Sequence, residues 1–260
     1  MKTFINSLSI LALILVFSAC QKENNMPLPA TDPEPETSSL ASGWQNDTNC
    51  RVDNANNPYD QVGALHNDYI ADLEARYNAQ TPLADLYGAI DHDMQRDYGS
   101  QLPPGFSAAD YGNTVIQAMR VDAVGAYIDA LETTAEQKVL LKKLLQIMYT
   151  YESTPLCEVI DAIRNFENSL LQRYAPKRIQ AVLVAASVGR YSLAYWDDRL
   201  QNGPSSAWNW RKIFTAVADG IGAAGGAVAG SATVIGGIAG GLAGGISASV
   251  GFSRVWDIFS

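Results

Sequence analysis

Histidine is almost missing from this chain: among 260 residues there are two, His66 and His92. The H-E-x-x-H zinc pattern is therefore excluded, and neither a G-x-S-x-G nucleophile turn nor a phosphate-binding P-loop occurs either. Basic residues are also scarce, 18 Lys and Arg against 27 Asp and Glu, for a net charge of −9. Nucleic acid is not expected as a partner, because phosphate contacts need clustered Lys and Arg and no such cluster exists. Cysteine is limited to Cys20, Cys50 and Cys157, none in the C-x-x-C spacing of a redox site. No segment shows the alternation of a half-buried strand.

What is present begins at the N-terminus. Lys2 precedes an apolar run over residues 8–17, which leads to Ser18, Ala19 and Cys20. A positive start, an apolar stretch of about ten residues and small residues before a cut describe a secretory signal too short to span a bilayer. The segment resembles the lipobox of bacterial lipoproteins, with Phe17 in place of the usual Leu at its first position. The resemblance implies that Cys20 becomes the new N-terminus and carries palmitate-type acyl chains. It places the protein in the bacterial cell envelope, lipid-anchored to a membrane, with the outer membrane the expected one. The competing reading is an ordinary signal peptide with a cysteine nearby. Once Cys20 takes lipid, Cys50 and Cys157 remain in an oxidising compartment, where a disulfide between them is one of two open outcomes.

After the cut, residues 21–56 turn to Pro, Ser, Thr, Asn and acidic residues, with Pro27, Pro29, Pro33 and Pro35 closely spaced. So little apolar surface cannot offset the entropy of ordering, and the prolines favour extended geometry. Residues 20–56 are read as a tether that begins to dock near Trp44.

Residues 57–204 read as a bundle of about six helices. Starts are expected at Asn57-Pro58, with Asp60 in the first turn, at Thr81-Pro82 and at Thr154-Pro155. Ser107 with Asp110, and Thr133 with Glu136, fit S/T-x-x-D/E capping patterns. Apolar stripes at helical spacing follow each start, among them Leu140, Leu141, Leu144, Leu145 and Met148. The sixth helix, from Ile179 to Trp196, is apolar nearly all round, which predicts a central position.

Residues 220–253 carry no charge and are dominated by Gly, Ala, Val and Ile. Gly222, Gly226 and Gly230 recur at four-residue spacing, as do Gly236, Gly240 and Gly244, with Gly237, Gly241 and Gly245 one position along. On helices such spacing makes smooth grooves for close approach. In isolation it would cost a helix about 0.5–1 kcal/mol per glycine relative to Ala. One straight helix would be about 51 Å long, well beyond a hydrocarbon core of about 30 Å. A break near residues 231–233, giving a glycine-zipper helical hairpin within 205–260, is the expected form. Trp208, Trp210, Arg211, Lys212, Arg254 and Trp256 flank it as an interfacial belt would, or as the ends of a soluble hairpin would. The segment resembles the Gly-zipper tails of some pore-forming peptide bacteriocins and of glycine-zipper envelope lipoproteins. Membrane contact through 220–253, burial within the fold and self-association of copies remain three open readings.

Two clusters deserve a chemical reading: His66-Asn67-Asp68 and Asp91-His92-Asp93. Two imidazoles flanked by carboxylates on neighbouring helices would make a candidate divalent-metal site. The plainer reading puts His66 on the flank of a buried stripe and the aspartates on a solvated surface. No metal, cofactor or catalytic residue is therefore expected. The pattern N-P-Y-D-x-x-G-x-x-H-N over residues 57–67 resembles the start of the folded region in lipoproteins of Bacteroidota-type bacteria, a resemblance that implies architecture and no activity. Its face Tyr59, Gly63, Asn67 is either packing or a functional surface.

The combined expectation is an all-α envelope lipoprotein with a structural or interaction role, not an enzyme, whose protein partner is not identified. A membrane-permeabilising, toxin-like protein acting through the zipper is the first alternative. A metal-dependent envelope hydrolase using His66 and His92 is the second.

Overall fold

The structure, a computed structural model, describes residues 50–78, 80–120, 123–199 and 207–259. The signal over 1–19, Cys20 and the tether up to residue 49 lie outside the described residues, as do the side chains of Trp208, Trp210 and Trp256. The protein is all-α: the described residues contain nine α-helices and no strand. They are α1 (Gln61–Arg76), α2 (Leu83–Tyr98), α3 (Ala108–Arg120), α4 (Val124–Ala130), α5 (Ala135–Tyr149), α6 (Leu156–Leu171), α7 (Gln180–Arg199), α8 (Ala207–Ala229) and α9 (Val234–Phe259).

Helix starts follow local chemistry, with shifts of a residue or more. Ser107 accepts from the Asp110 amide at 3.3 Å and so caps α3. On α5 the cap is Thr134, whose hydroxyl accepts from the Gln137 amide at 3.2 Å, one residue beyond the expected Thr133. Pro82 and Pro155 occupy the cap positions of α2 and α6 themselves, and their carbonyls accept the first helical amides. At α1 the Asn57 side chain accepts from the Tyr59 amide at 2.9 Å, and the helix proper waits until Gln61. Among the described residues seven helices precede α8, against the six or so expected. The extra one is α4, seven residues without a side-chain cap.

At the centre is α7, buried along its whole length from Gln180 to Trp196 except at Tyr191. It touches α1, α5, α6, α8 and α9, which explains an apolar character on every side. Against it lie α8 and α9, and one continuous core runs from Tyr59 to Phe252. The boundary expected at 204/205 therefore separates helices but not cores: residues 220–253 supply part of the interior that the preceding bundle buries.

α8 and α9 run antiparallel, with Gly222, Gly226 and Gly230 facing Gly244, Gly240 and Gly236 in that order. A Cβ on any of the six would fall less than 3.0 Å from the carbonyl oxygen of the glycine opposite. Gly237, Gly241 and Gly245 serve a second contact, against Gln180 and Val184 of α7 and His66 of α1. The chain turns between the two helices over residues 230–233, where the Thr233 hydroxyl accepts from the Gly236 amide at 2.8 Å. The Gln180 side-chain amide donates to the Val234 carbonyl at 2.7 Å, fastening the turn to the start of α7.

Candidate functional site

Arg190 is the one charge inside the apolar span 181–196, and it is fully buried. A buried guanidinium must be paired and hydrogen-bonded to be tolerated. It meets Glu167 of α6 at 3.0 Å and Asp60 at 2.5 Å, and donates to the Val52 carbonyl. Glu167, unexposed as well, also accepts from Asn54 at 2.7 Å and Asn57 at 2.9 Å. Burial pushes the Glu167 carboxyl up, opposed by the Arg190 charge and the two amide donors. For Arg190 burial acts downwards, but Glu167 and Asp60 outweigh it and the guanidinium stays charged.

The motif residues 57–67 converge on the same helix. The Asn57 amide also donates to the Leu183 carbonyl at 3.0 Å, and the Gly63 amide donates to the Ser187 hydroxyl at 3.0 Å. That hydroxyl donates to the Asp60 carbonyl at 2.7 Å, and the Asn67 side chain to the Tyr191 carbonyl at 2.9 Å. A Cβ on Gly63 would collide with the Ser187 carbonyl oxygen at 2.6 Å. Tyr59, Gly63 and Asn67 are all buried, so this face is an internal seam between α1 and α7. Residues 50–57 cross the same seam as a strap, pinned by a disulfide between Cys50 and Cys157 with Cα atoms 5.0 Å apart.

A second polar cluster surrounds Asp219 of α8, a carboxylate with no exposure. Ser192 donates to Asp219, the Trp196 indole donates to it at 3.1 Å, and His66 Nε2 stands 3.9 Å away. His66 Nδ1 meets the Asn67 side-chain oxygen at 3.1 Å. Burial pushes the Asp219 carboxyl up, against the opposing effect of His66 and of the donors Ser192, Trp196 and Ser249. Ser, His and Asp meet here, but the carboxylate sits in the middle and the group is sealed from solvent, so a substrate cannot reach the hydroxyl. Ser249 of α9 also faces the Asp219 carboxylate, closing the cluster on its fourth side.

Beside this cluster opens a cleft of about 230 Å³, contributed by α1, α2, α7, α8 and α9. Ser249 and Trp196 lie in its wall, so the cleft adjoins the buried Asp219 group directly. Sequence reasoning missed both Arg190 and Asp219. The available signal was a lone charge in the middle of an otherwise apolar helical run, which demands a partner.

His66 and His92 are not brought together: His66 is buried against Asp219, while His92 is 77% exposed beside Asp93. Among the described residues no three His, Cys, Asp or Glu side chains are grouped to hold a metal. Asp91 is committed to capping α3, accepting from the Ala108 amide at 2.7 Å. Residues 220–225 spell G-x-G-x-x-G, but they lie in mid-α8 with no strand before them, and a phosphate needs free amides at a helix start. No family model, curated protein or solved structure matches the chain.

Proposed function

We propose that the protein is a lipid-anchored component of the bacterial cell envelope with a structural or interaction role, in which α8 and α9 form a glycine-zipper hairpin that serves as core. In this reading the acyl chains on Cys20 are the membrane attachment and the strap at residues 50–57 joins the tether to the body. The observation that carries it is the mutual use of the glycines. The three of α8 face the three of α9, and the neighbouring set on α9 faces α7 and α1. Such faces have no smooth groove left for lipid or for another copy. The apolar stretch Val234–Arg254 meets the length and hydropathy of a membrane span, yet 83% of its most apolar window is buried inside the protein.

The test pairs acyl labelling with vesicle flotation. Radiolabelled palmitate is expected in the wild-type chain and not in Cys20→Ser. Protein beginning at residue 21 is expected to stay monomeric and to ignore vesicles. Flotation of that unlipidated protein would overturn the assignment of α8 and α9 to the core.

One observation favours a second reading, membrane permeabilisation. The turn between the helices is exposed over residues 231–235, including Val234 at 37% and Ile235 at 54%. An apolar tip of this kind is where an opening hairpin would first touch a bilayer. That reading expects dye leakage from vesicles, abolished by Ile235→Asp.

A further inference from the structure

A second and wider groove, of about 590 Å³, lies at the turn end of the hairpin, between α3, α4 and the C-terminal end of α8. Its walls are apolar, with Leu131 after α4 on one side and Val228 and Ala229 of α8 on the other. Two tyrosines enter it, Tyr111 of α3 and Tyr127 of α4. The Tyr111 ring is braced by Phe106, with centroids 5.3 Å apart. The Tyr127 hydroxyl rests against Gly225 of α8, where an added Cβ would collide with it. Burial pushes both phenols up, Tyr127 further through the nearby Tyr111, so both stay neutral. Neither hydroxyl has a hydrogen-bond partner among the described residues.

Charge in this groove has one sign. Glu132 stands in its wall, exposed and without an ion pair among the described residues. Its neighbours are taken: Asp129 by Lys142 at 2.6 Å and Glu136 by Arg178 at 2.9 Å. Lys138 donates to the Asp129 carbonyl at 2.6 Å and so serves the end of α4. Lys177 opens on a separate hollow across Val228 and Ser231. The 23-residue α8 ends at the groove with no basic residue in its last turn, which leaves the negative end of its dipole uncompensated.

An unpaired carboxylate, a helix C-terminus and two neutral phenol oxygens all favour positive charge, and an anion would meet Glu132 unopposed. A primary ammonium carries three N–H donors, one for the carboxylate and one for each phenol. Its hydrocarbon body has the apolar walls to lie against, and the volume falls within the range of about 300–1,000 Å³ usual for small-molecule sites. We propose that this groove binds a small primary amine with a compact apolar body, its ammonium donating to Glu132 and to the phenol oxygens of Tyr111 and Tyr127. The site goes beyond the envelope role argued above and does not depend on lipidation.

The test is calorimetric titration of the protein, at low ionic strength, with phenethylamine, 2-phenylethanol and phenylacetate as cationic, neutral and anionic probes of one shape. The amine is expected to bind at millimolar concentration, the alcohol about tenfold more weakly, and phenylacetate not at all. Glu132→Gln is expected to bring the amine down to the level of the alcohol, and Tyr127→Phe to weaken the amine about threefold. Glu158→Gln, which removes an exposed carboxylate of α6 outside the groove, is expected to leave binding unchanged. Ala229→Trp, at an exposed position in the wall, fills the groove and is expected to abolish binding. Melting curves separate loss of the site from loss of the fold, and Ala232→Trp, also exposed in the wall, supplies a second block if Ala229→Trp unfolds. Absence of amine binding overturns the proposal, as does equal binding of phenylacetate or binding that survives both blocking variants. An equal loss from Glu158→Gln and Glu132→Gln also overturns it, by showing general attraction of a cation to an acidic protein.

Discussion

Arg190 of α7 and Glu167 of α6 meet at 3.0 Å with neither side chain exposed. Removing one partner of a buried pair leaves the other charged without compensation, at a cost of about 3–5 kcal/mol. Glu167→Leu also strips an acceptor from Asn54 and Asn57. The variant is expected to lose stability at the upper end of that range in urea denaturation. Asp60→Asn should cost less, because Arg190 keeps Glu167 and the Val52 carbonyl. Equal losses for the two would show that the strap contributes little beyond the ion pair.

Opposite signs are expected for two glycine substitutions of the same kind. Gly88 lies on the exposed side of α2 with nothing within 4 Å of an added Cβ. Gly88→Ala should stabilise by about 0.5–1 kcal/mol, the ordinary difference in helix propensity. At Gly226 the same methyl would run into the Gly240 carbonyl, a backbone atom that cannot swing aside. Gly226→Ala should therefore destabilise by about 1–3 kcal/mol or more, the cost of overpacking. Thermal melts of both variants beside the wild type decide the matter.

Legibility in the sequence tracked how local the cause was. The stripe Leu140, Leu141, Leu144, Leu145 and Met148 marks α5 because side chains three and four apart share a face, and all but the partly buried Leu140 are buried. The all-round apolar run ahead of Trp196 gave away a central helix for the same reason. α4 went unread because seven residues without a cap carry too short a period. Thr133 and Thr134 are chemically equivalent, and only the path of the preceding turn chooses between them. The cleft was illegible in kind: Leu73, Trp196 and Ser249 come from three parts of the chain, and their meeting depends on how α1, α7 and α9 cross.

The disulfide closes a long loop, Cys50 and Cys157 being 107 positions apart. In the chain-entropy account a link of this span is worth about 4–5 kcal/mol, chiefly by limiting the unfolded chain. The double variant Cys50→Ser, Cys157→Ser should lower the denaturation midpoint by a corresponding amount. Reducing agent should do the same to the wild type and nothing to the variant. A midpoint insensitive to reduction would mean that Asn54, Asn57 and Arg190 hold the strap without the covalent link.

Asp219 sets a pH dependence whose direction follows from its burial. The folded-state pKa is raised above the unfolded carboxylate value of about 3.9. Between those two values the folded protein holds more protons than the unfolded chain, so stability falls as pH rises through the window. The groups facing the carboxylate are His66 from α1, Ser192 and Trp196 from α7 and Ser249 from α9. Asp219→Asn keeps an acceptor for Ser192 and Trp196 while removing the buried charge. It is expected to flatten the decline in stability above about pH 4 relative to the wild type, with the two curves converging at lower pH. Parallel curves across the range would place the Asp219 proton equilibrium outside the folding reaction, and would leave the buried cluster as a set of neutral hydrogen bonds.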